Sequence, residues 1–398
     1  MVTPLTFIDA RALVIDLVGR AKPVQVVEDV ALGDAAGRVL VADVAADRNA
    51  PAVDRSTRDG YAVRAADVPG SLAIIGEVRA GGRFTGVVGP GQAVAIMTGA
   101  PLPAGADAVV MVEDTRADDG RVRIDGTAQP GQAINRRGSE ATAGERVLRA
   151  GTRLDYTGIA ALAAFGHARV SVYSRPNVAI VSTGDELIEI HETPTSFQIR
   201  NSNTYSLAAQ VTRAGGAPVM IPIARDTVEH TRDILSRGLE SDLLLISGGV
   251  SAGKYDVVET VLADLGAEFY FDRVLIQPGQ PLVFGRARCK FFFGLPVNPA
   301  ATMVTFEVFA RAALELLGGQ TETALTMPWA RLTREFRHRP GLTRFLPARL
   351  AADGAEVTPV AWHGSGDIAA LTRANAFLVA DPDRAVYAAD EMIRVLLK

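Results

Sequence analysis

Three polar segments of this 398-residue chain follow apolar runs, and each carries groups able to handle an anion or a metal ion. The first is Ser182-Thr183-Gly184-Asp185-Glu186, the second Ala224-Arg225-Asp226. The third runs from Ser247 through Gly248, Gly249, Ser251 and Gly253 to Lys254, with Asp256 just beyond. In an open α/β sheet, ligands gather beyond the carboxyl ends of the strands, so the three segments would face one crevice. The third fits GxxxxGK, yet Tyr255 stands where such a loop needs Ser or Thr to reach magnesium, and a P-loop is rejected. What remains is a glycine-rich turn that can bring backbone N–H groups to a phosphate at a helix start. The acids also have plain structural readings, because Asp226 with Glu229 and Asp256 with Glu259 each fit a capping box. Glu186, Asp226 and Asp256 around a phosphate-binding turn imply a divalent cation, usually magnesium, since the acids would otherwise repel the anion. The residues alone therefore point to metal-assisted chemistry on a phosphorylated ligand.

Positioning these segments takes a parallel sheet. Apolar strands are expected at 177–182, 218–223 and 242–247, alternating with helices at 203–214, 226–238 and 256–265 and followed by a last helix at 299–317. Strands that are apolar throughout, alternating with amphipathic helices, mean a sheet covered on both faces. An N-terminal helix is expected over 7–18, with Thr6 as cap and Gly19 as stop. Residues 71–153 are Gly-rich short runs and read as all-β, and the short alternating runs of 328–398 suggest a small β-barrel. The fold class is multidomain α/β plus β.

Bulk properties narrow the function. With 48% hydrophobic and 22% charged residues the chain is globular, and 45 acids against 41 Lys and Arg leave no basic field for nucleic acid. The lone Cys289 excludes an internal disulfide framework, and the five His form no zinc-hydrolase spacing. The N-terminus lacks a signal-peptide pattern and no apolar stretch could span a bilayer, so a cytoplasmic protein acting on something soluble is expected.

Seven motifs, in order, carry a family resemblance. RSTRDGYAVRAAD (55–67), AIMTGAPLPAGADAVVMVED (95–114), VSTGDEL, SNTYSLAAQV, SGGVSAGKYD, LPVNPAATMVTFEVF and GSGDIAALTRAN (364–375) span nearly the whole chain. Together they resemble the molybdopterin molybdenumtransferases, bacterial MoeA and the gephyrin E domain. The resemblance implies four parts: an elongated discontinuous part (1–50 and 136–175), an inserted β domain (51–135), a MogA-like molybdopterin-binding α/β domain (176–317) and a C-terminal β-barrel (318–398). It implies a homodimer with the pterin site between the α/β domain and the partner subunit. The implied reaction takes adenylylated molybdopterin and molybdate, releases AMP and leaves molybdenum on the dithiolene. A MogA-like adenylyltransferase and client molybdoenzymes are the implied partners, and Mg2+ the implied ion.

Carried over by motif, Asp59, Thr98, Glu186, Asp226 and Asp256 match catalytic positions, the last three also as metal ligands. Ser182, Thr183, Gly184, Ser247, Gly248, Gly249, Ser251, Gln277, Gln280, Pro296, Asn298, Pro299 and Ser365 match the substrate site. Bland readings stand beside these: Asp59-Gly60 is a good turn dipeptide, Thr98-Gly99 could end a strand, and Ser365 sits in a Gly-flanked turn.

Departures from the family pattern cluster where anions should bind. Gln277-Pro278-Gly279-Gln280-Pro281 replaces Lys-Pro-Gly-Lys-Pro, removing charge assistance on the order of 1 kcal/mol or more per contact. Val297 replaces a Gly and must be β-like or strained. Arg58 replaces Met, Asn201 replaces Asp, and GLTRF (341–345) replaces Gly-Arg-x-Glu-Phe, so Leu342 stands where an Arg is expected. Arg58 or Arg344 restores the charge in part at most. The alternatives are a weakened or non-catalytic paralogue that binds the cofactor for a client enzyme, and a CinA-type nucleotide pyrophosphatase, which resembles only the α/β part.

Overall fold

The structure is a computed structural model describing residues 4–21, 25–249 and 257–398. Helix Phe7–Ala21 opens it, with Thr6 Oγ1 accepting the Asp9 N–H at 3.2 Å. Phe7, Ala10, Val14 and Val18, three or four residues apart, form its buried face. The helix runs on through Gly19, the expected stop. A glycine there costs roughly 0.5–1 kcal/mol relative to Ala, too little to end a helix anchored by a continuous buried face.

Next comes a six-stranded sheet in the order Ala108–Met111, Gly60–Val63, Gln92–Ile96, Gly70–Val78, Arg121–Ile124, Thr115–Asp118. Alternate residues feed apolar clusters on its two faces, Val63, Ala93 and Val110 on one and Ala62, Val94 and Val109 on the other. The segments flanking this sheet pair with each other in nested fashion. Arg55–Ser56 meets Ile134–Asn135, Val44–Ala45 meets Arg146–Leu148, and Val27–Ala31 meets Arg169–Tyr173. Helix Tyr156–Ala164, not foreseen in the sequence, packs here, with the Asp155 carboxylate accepting the Thr157 and Gly158 N–H groups.

Four parallel strands then form the expected sheet: Ala217–Met220, Asn177–Ser182, Leu243–Ser247 and Lys290–Leu295, in that order, with Val283–Ala287 and Glu268–Phe271 antiparallel at the far edge. Both faces of strands Asn177–Ser182 and Leu243–Ser247 are covered, which is why they are almost wholly apolar, whereas the edge strand Ala217–Met220 leaves Val219 and Met220 exposed. Val178, Ile180, Leu243 and Leu245 pack with helix Ser202–Ala214 and the 299–317 helix. Ala179, Val181, Leu244 and Ile246 pack with Val228–Gly238 and Val257–Asp264. The 299–317 helix is continuous but contains a π turn, Phe306–Ala310.

The C-terminal part closes as a five-stranded barrel: Thr343–Leu350, Glu356–Pro359, Trp329–Leu332, Met392–Leu397 and Ala376–Ala380, which pairs back with Thr343–Leu350. Ile276–Gln277 adds in parallel to Thr343–Leu350, setting Gln277 directly beside Arg344. The two departing motifs, QPGQP and GLTRF, therefore meet in one strand pair.

Candidate active site at the strand ends

Ser182 and Ser247 are register partners at the carboxyl ends of their strands. Ser182 Oγ donates to Asn201 Oδ1 at 2.9 Å and lies 2.9 Å from Thr204 Oγ1. Asn201 in turn caps helix Ser202–Ala214 by accepting the Thr204 N–H. Asn203 Nδ2 donates to Ser247 Oγ at 2.8 Å and to the Val297 carbonyl at 2.6 Å. Since a carbonyl only accepts, the second bond fixes the Asn203 amide and leaves its Oδ1 without a partner among the described residues. Thr183 Oγ1 is likewise buried and unpartnered among them. These groups were legible only in part: Asn203 was missed, and its signal is a polar residue in the first turn of a buried helix face.

Ser182, Asn201, Asn203, Ser247 and Val297 line a cavity of ≈ 600 Å³, whose wall also includes Glu186, Asn298, Pro299 and Gly366. Thr302 Oγ1 donates to the carbonyls of Pro296 and Asn298, and the Ala300 N–H to the carbonyl of Ser365, so the barrel's GSG turn lies against the helix start. Val297 is not among the positive-φ residues, which resolves the replaced glycine as an ordinary conformation. Gly184, at φ +140°, has a backbone conformation that favours glycine, and a Cβ there would meet a Glu186 carboxylate oxygen at 2.3 Å and push that side chain aside. Gly248 (φ +95°) and Gly249 (φ +64°) let the third segment pass against Thr183.

Thr183 bridges to Ala224, and the Gly184 N–H donates to the Ala224 carbonyl, so the first two polar segments lie side by side. Asp226 does not cap its helix. The cap is Thr227, whose side chain accepts the His230 N–H, and the helix starts at Val228. Asp226 instead accepts the Asp185 N–H at 3.4 Å while Asp185 accepts the Asp226 N–H at 3.2 Å. The Glu186 carboxylate has no hydrogen bond or ion pair among the described residues. Ser251 and Asp256 lie outside the described residues. No group of three His, Cys, Asp or Glu able to hold a metal occurs among those described.

Asp59 and Thr98 do not line this cavity. The Thr98 N–H and hydroxyl donate to one Asp59 oxygen at 2.6 and 2.9 Å, holding the Asp59 carboxyl below its ordinary range. Thr98 borders a second cavity of ≈ 860 Å³, lined by Arg48, Arg55, Ser56 and Asn135 among others. Gln277 and Gln280 are also off the strand-end cavity wall. Their segment packs on helix Pro299–Thr305, where a Cβ on Gly279 would meet Thr305 Cγ2 at 2.5 Å. Beside Gln277, Arg344 makes no ion pair among the described residues, and its buried Nε has no acceptor there.

Comparisons with known proteins agree along the chain. Residues 5–166 match the MoeA N-terminal region (domain I and II), 179–316 a probable molybdopterin binding domain, and 329–398 the MoeA C-terminal region (domain IV). A molybdopterin molybdenumtransferase of Bacillus subtilis (strain 168) is 34% identical over 385 residues, covering 93% of this chain and 89% of its own. The chain belongs to the molybdopterin molybdenumtransferase family. Another member, from Nostoc sp. (strain PCC 7120), is 39% identical over 329 residues, 80% of this chain and 76% of its own. Among solved structures, the molybdopterin biosynthesis MoeA protein of Pyrococcus horikoshii OT3 superposes with a TM-score of 0.81 at 26% identity, covering 100% of each chain. For a molybdenumtransferase of this family, the matches at 5–166 and 329–398 extend past the α/β part, beyond what a CinA-type pyrophosphatase would share.

Proposed function

We propose that this chain inserts molybdate into adenylylated molybdopterin with release of AMP, at the strand-end cavity. The observation that carries the reading is a cavity whose wall combines strand-end hydroxyls, an amide and the carboxylate of Glu186, unpaired among the described residues, in a chain of this family. A non-catalytic cofactor-binding paralogue finds no support among relatives named as transferases.

The side chains divide the work. Ser247, whose Oγ accepts from Asn203 and keeps its own proton, and the backbone of the glycine-rich turn would bind the phosphate-bearing portion, while Ser182, its proton given to Asn201, shapes the wall beside them. Asn203 Oδ1 and Thr183 Oγ1, buried and without a partner among the described residues, lie beside that portion. Glu186 and Asp226 are hard oxygen donors suited to Mg2+, which is commonly held by one or two carboxylates together with substrate phosphates. With Asp256 they would hold the ion, which when bound would neutralise charge on the phosphoanhydride. Asn298 and Pro299 shape the far wall, and Ser365 stands at the barrel side, where molybdate would arrive.

Thr98, which holds the Asp59 carboxylate, borders a different cavity of the same chain, which supports a homodimer in which the partner subunit brings the pair to the strand ends. A closed two-fold is the commonest way to make such a shared site. No helix among the described residues is long and apolar enough to cross a membrane, in keeping with a cytoplasmic enzyme. It would receive its substrate from a MogA-like adenylyltransferase and serve client molybdoenzymes, with no role for nucleic acid. Complementation of a strain lacking its molybdenumtransferase tests the reading: restored nitrate reductase activity supports it, and continued absence with the protein expressed and soluble argues against it.

A further inference from the structure

Arg225 stands inside the second polar segment without a role in binding or chemistry, yet its bonds are unusual. Its Nη1 lies 2.9 Å from the Leu187 carbonyl, 3.3 Å from that of Gly184 and 3.5 Å from that of Asp185. These carbonyls bracket Glu186 on both sides. Arg225 is itself anchored: its N–H donates to His230 Nδ1 at 3.0 Å and its carbonyl accepts from Thr231 Oγ1 at 3.0 Å. The reciprocal Asp185–Asp226 bonds close the other side of the same loop pair. Arg225 forms no ion pair among the described residues, so its charge is spent on carbonyls and no neighbouring carboxylate is neutralised.

From this geometry we propose that Arg225 is a positioning residue, one that fixes the Gly184–Leu187 loop and through it the direction of the Glu186 carboxylate. The inference rests on the transferase reading above. All three contacts fall on Nη1, whose two N–H donors are best matched to the Leu187 and Gly184 carbonyls, and the rigid guanidinium holds that nitrogen in place at less loss of side-chain freedom than an ammonium on a flexible stem. Gly184 adds the complementary constraint, since a Cβ there would push the Glu186 carboxylate out of its present position. Displacing a catalytic group by about 1 Å can cost on the order of 10²-fold in rate.

The test uses the full chain turning over adenylylated molybdopterin and molybdate. Arg225→Gln should lower kcat by roughly 10- to 100-fold with KM within about twofold, and Arg225→Lys should fall between it and wild type. Placed in a Glu186→Gln background, Arg225→Gln should change the residual rate by less than about twofold, because a residue acting through Glu186 has nothing left to position. Gly184→Ala, with Arg225 intact, should reproduce the kcat loss and keeps the test available if Arg225→Gln folds poorly. An unchanged kcat in a folded Arg225→Gln chain, a rise in KM alone, or a full independent loss in the Glu186→Gln background would overturn the proposal. A wild-type chain that releases no AMP overturns the transferase reading itself, and the proposal with it.

Discussion

The strand-end cavity and the Asp59 corner hold the same kinds of group in opposite states. At Asp59, two bonds from Thr98 satisfy one carboxylate oxygen and hold the group ionised below its ordinary range. At the strand ends, the Glu186 carboxylate has no partner among the described residues, while the atoms around it are fixed by bonds among themselves. The lesson concerns which acids are free to meet a ligand. Asp59 is the built half, an anchored anion that orders its turn; Glu186 is the open half, held in place through its backbone.

That contrast orders the expected effects of substitution. The largest belongs to Glu186→Gln, which should lower kcat on the order of 10²-fold or more while leaving the melting temperature nearly unchanged, since an unpaired exposed carboxylate adds little to folding. Equal loss of stability and activity would show that Glu186 is committed to structure after all. Next comes Thr98→Val, which keeps the backbone bond to Asp59 and removes the hydroxyl bond. It should lower activity by about tenfold, as expected for one lost bond to a charged group, and let the Asp59 carboxyl titrate closer to its ordinary range by NMR. An unmoved Asp59 titration would break the account of that corner.

A smaller effect is expected where the barrel meets QPGQP. Gln277 lies beside Arg344, so a lysine at 277 would face a like charge directly across a strand pair. Gln280→Lys should tighten molybdate binding at low salt, with the gain shrinking as salt rises. Gln277→Lys alone should help less, because Arg344 already supplies a positive charge beside it, and should show a clearer gain when Arg344→Gln serves as the reference background. Calorimetric titration at two salt concentrations checks this, and an equal gain from either lysine alone would refute the pairing.

The smallest effect is on stability against pH. Asp43, Asp54, Asp59, Asp155 and Asp367 are all held below their ordinary range, chiefly by backbone or hydroxyl donors. A depressed folded pKa contributes stability that is present above the unfolded value and lost as pH falls through the folded one. The melting temperature should therefore stay level near neutrality and decline as pH drops below about 4, the ordinary Asp value. Replacing Thr98 should remove only a small share of that decline.

Much of the fold was legible because its signals are local. Strands such as 177–182 and 242–247 are apolar throughout because both faces are covered, and Gly215 and Gly266 end their helices at positive φ. What sequence could not resolve lies at single-residue capping and in long-range pairing. Asp226 and Thr227 both look like caps, and only the approach of Asp185 decides that Thr227 takes the role. Helix Tyr156–Ala164 was hidden because its residues are small and apolar on nearly every side, giving no periodic stripe, although Asp155 was a usable start signal. The Gln277–Arg344 pairing joins two motifs far apart in the chain, so their departures from the family pattern read as separate losses until the register is seen. Of the site, the strand-end segments were visible as polar breaks after apolar runs. Asn203 was not, and Arg225 was visible within its segment but its role was not, because each acts through bonds to carbonyls of other segments.

The most direct test of the account is a single-turnover assay of the purified chain with adenylylated molybdopterin, molybdate and Mg2+. AMP and pterin-bound molybdenum are counted together by chromatography and metal analysis. The account predicts that the two appear in equal amounts with wild type, and that both are lost together in Glu186→Gln. Tight pterin binding with no AMP release above the protein-free control would contradict it.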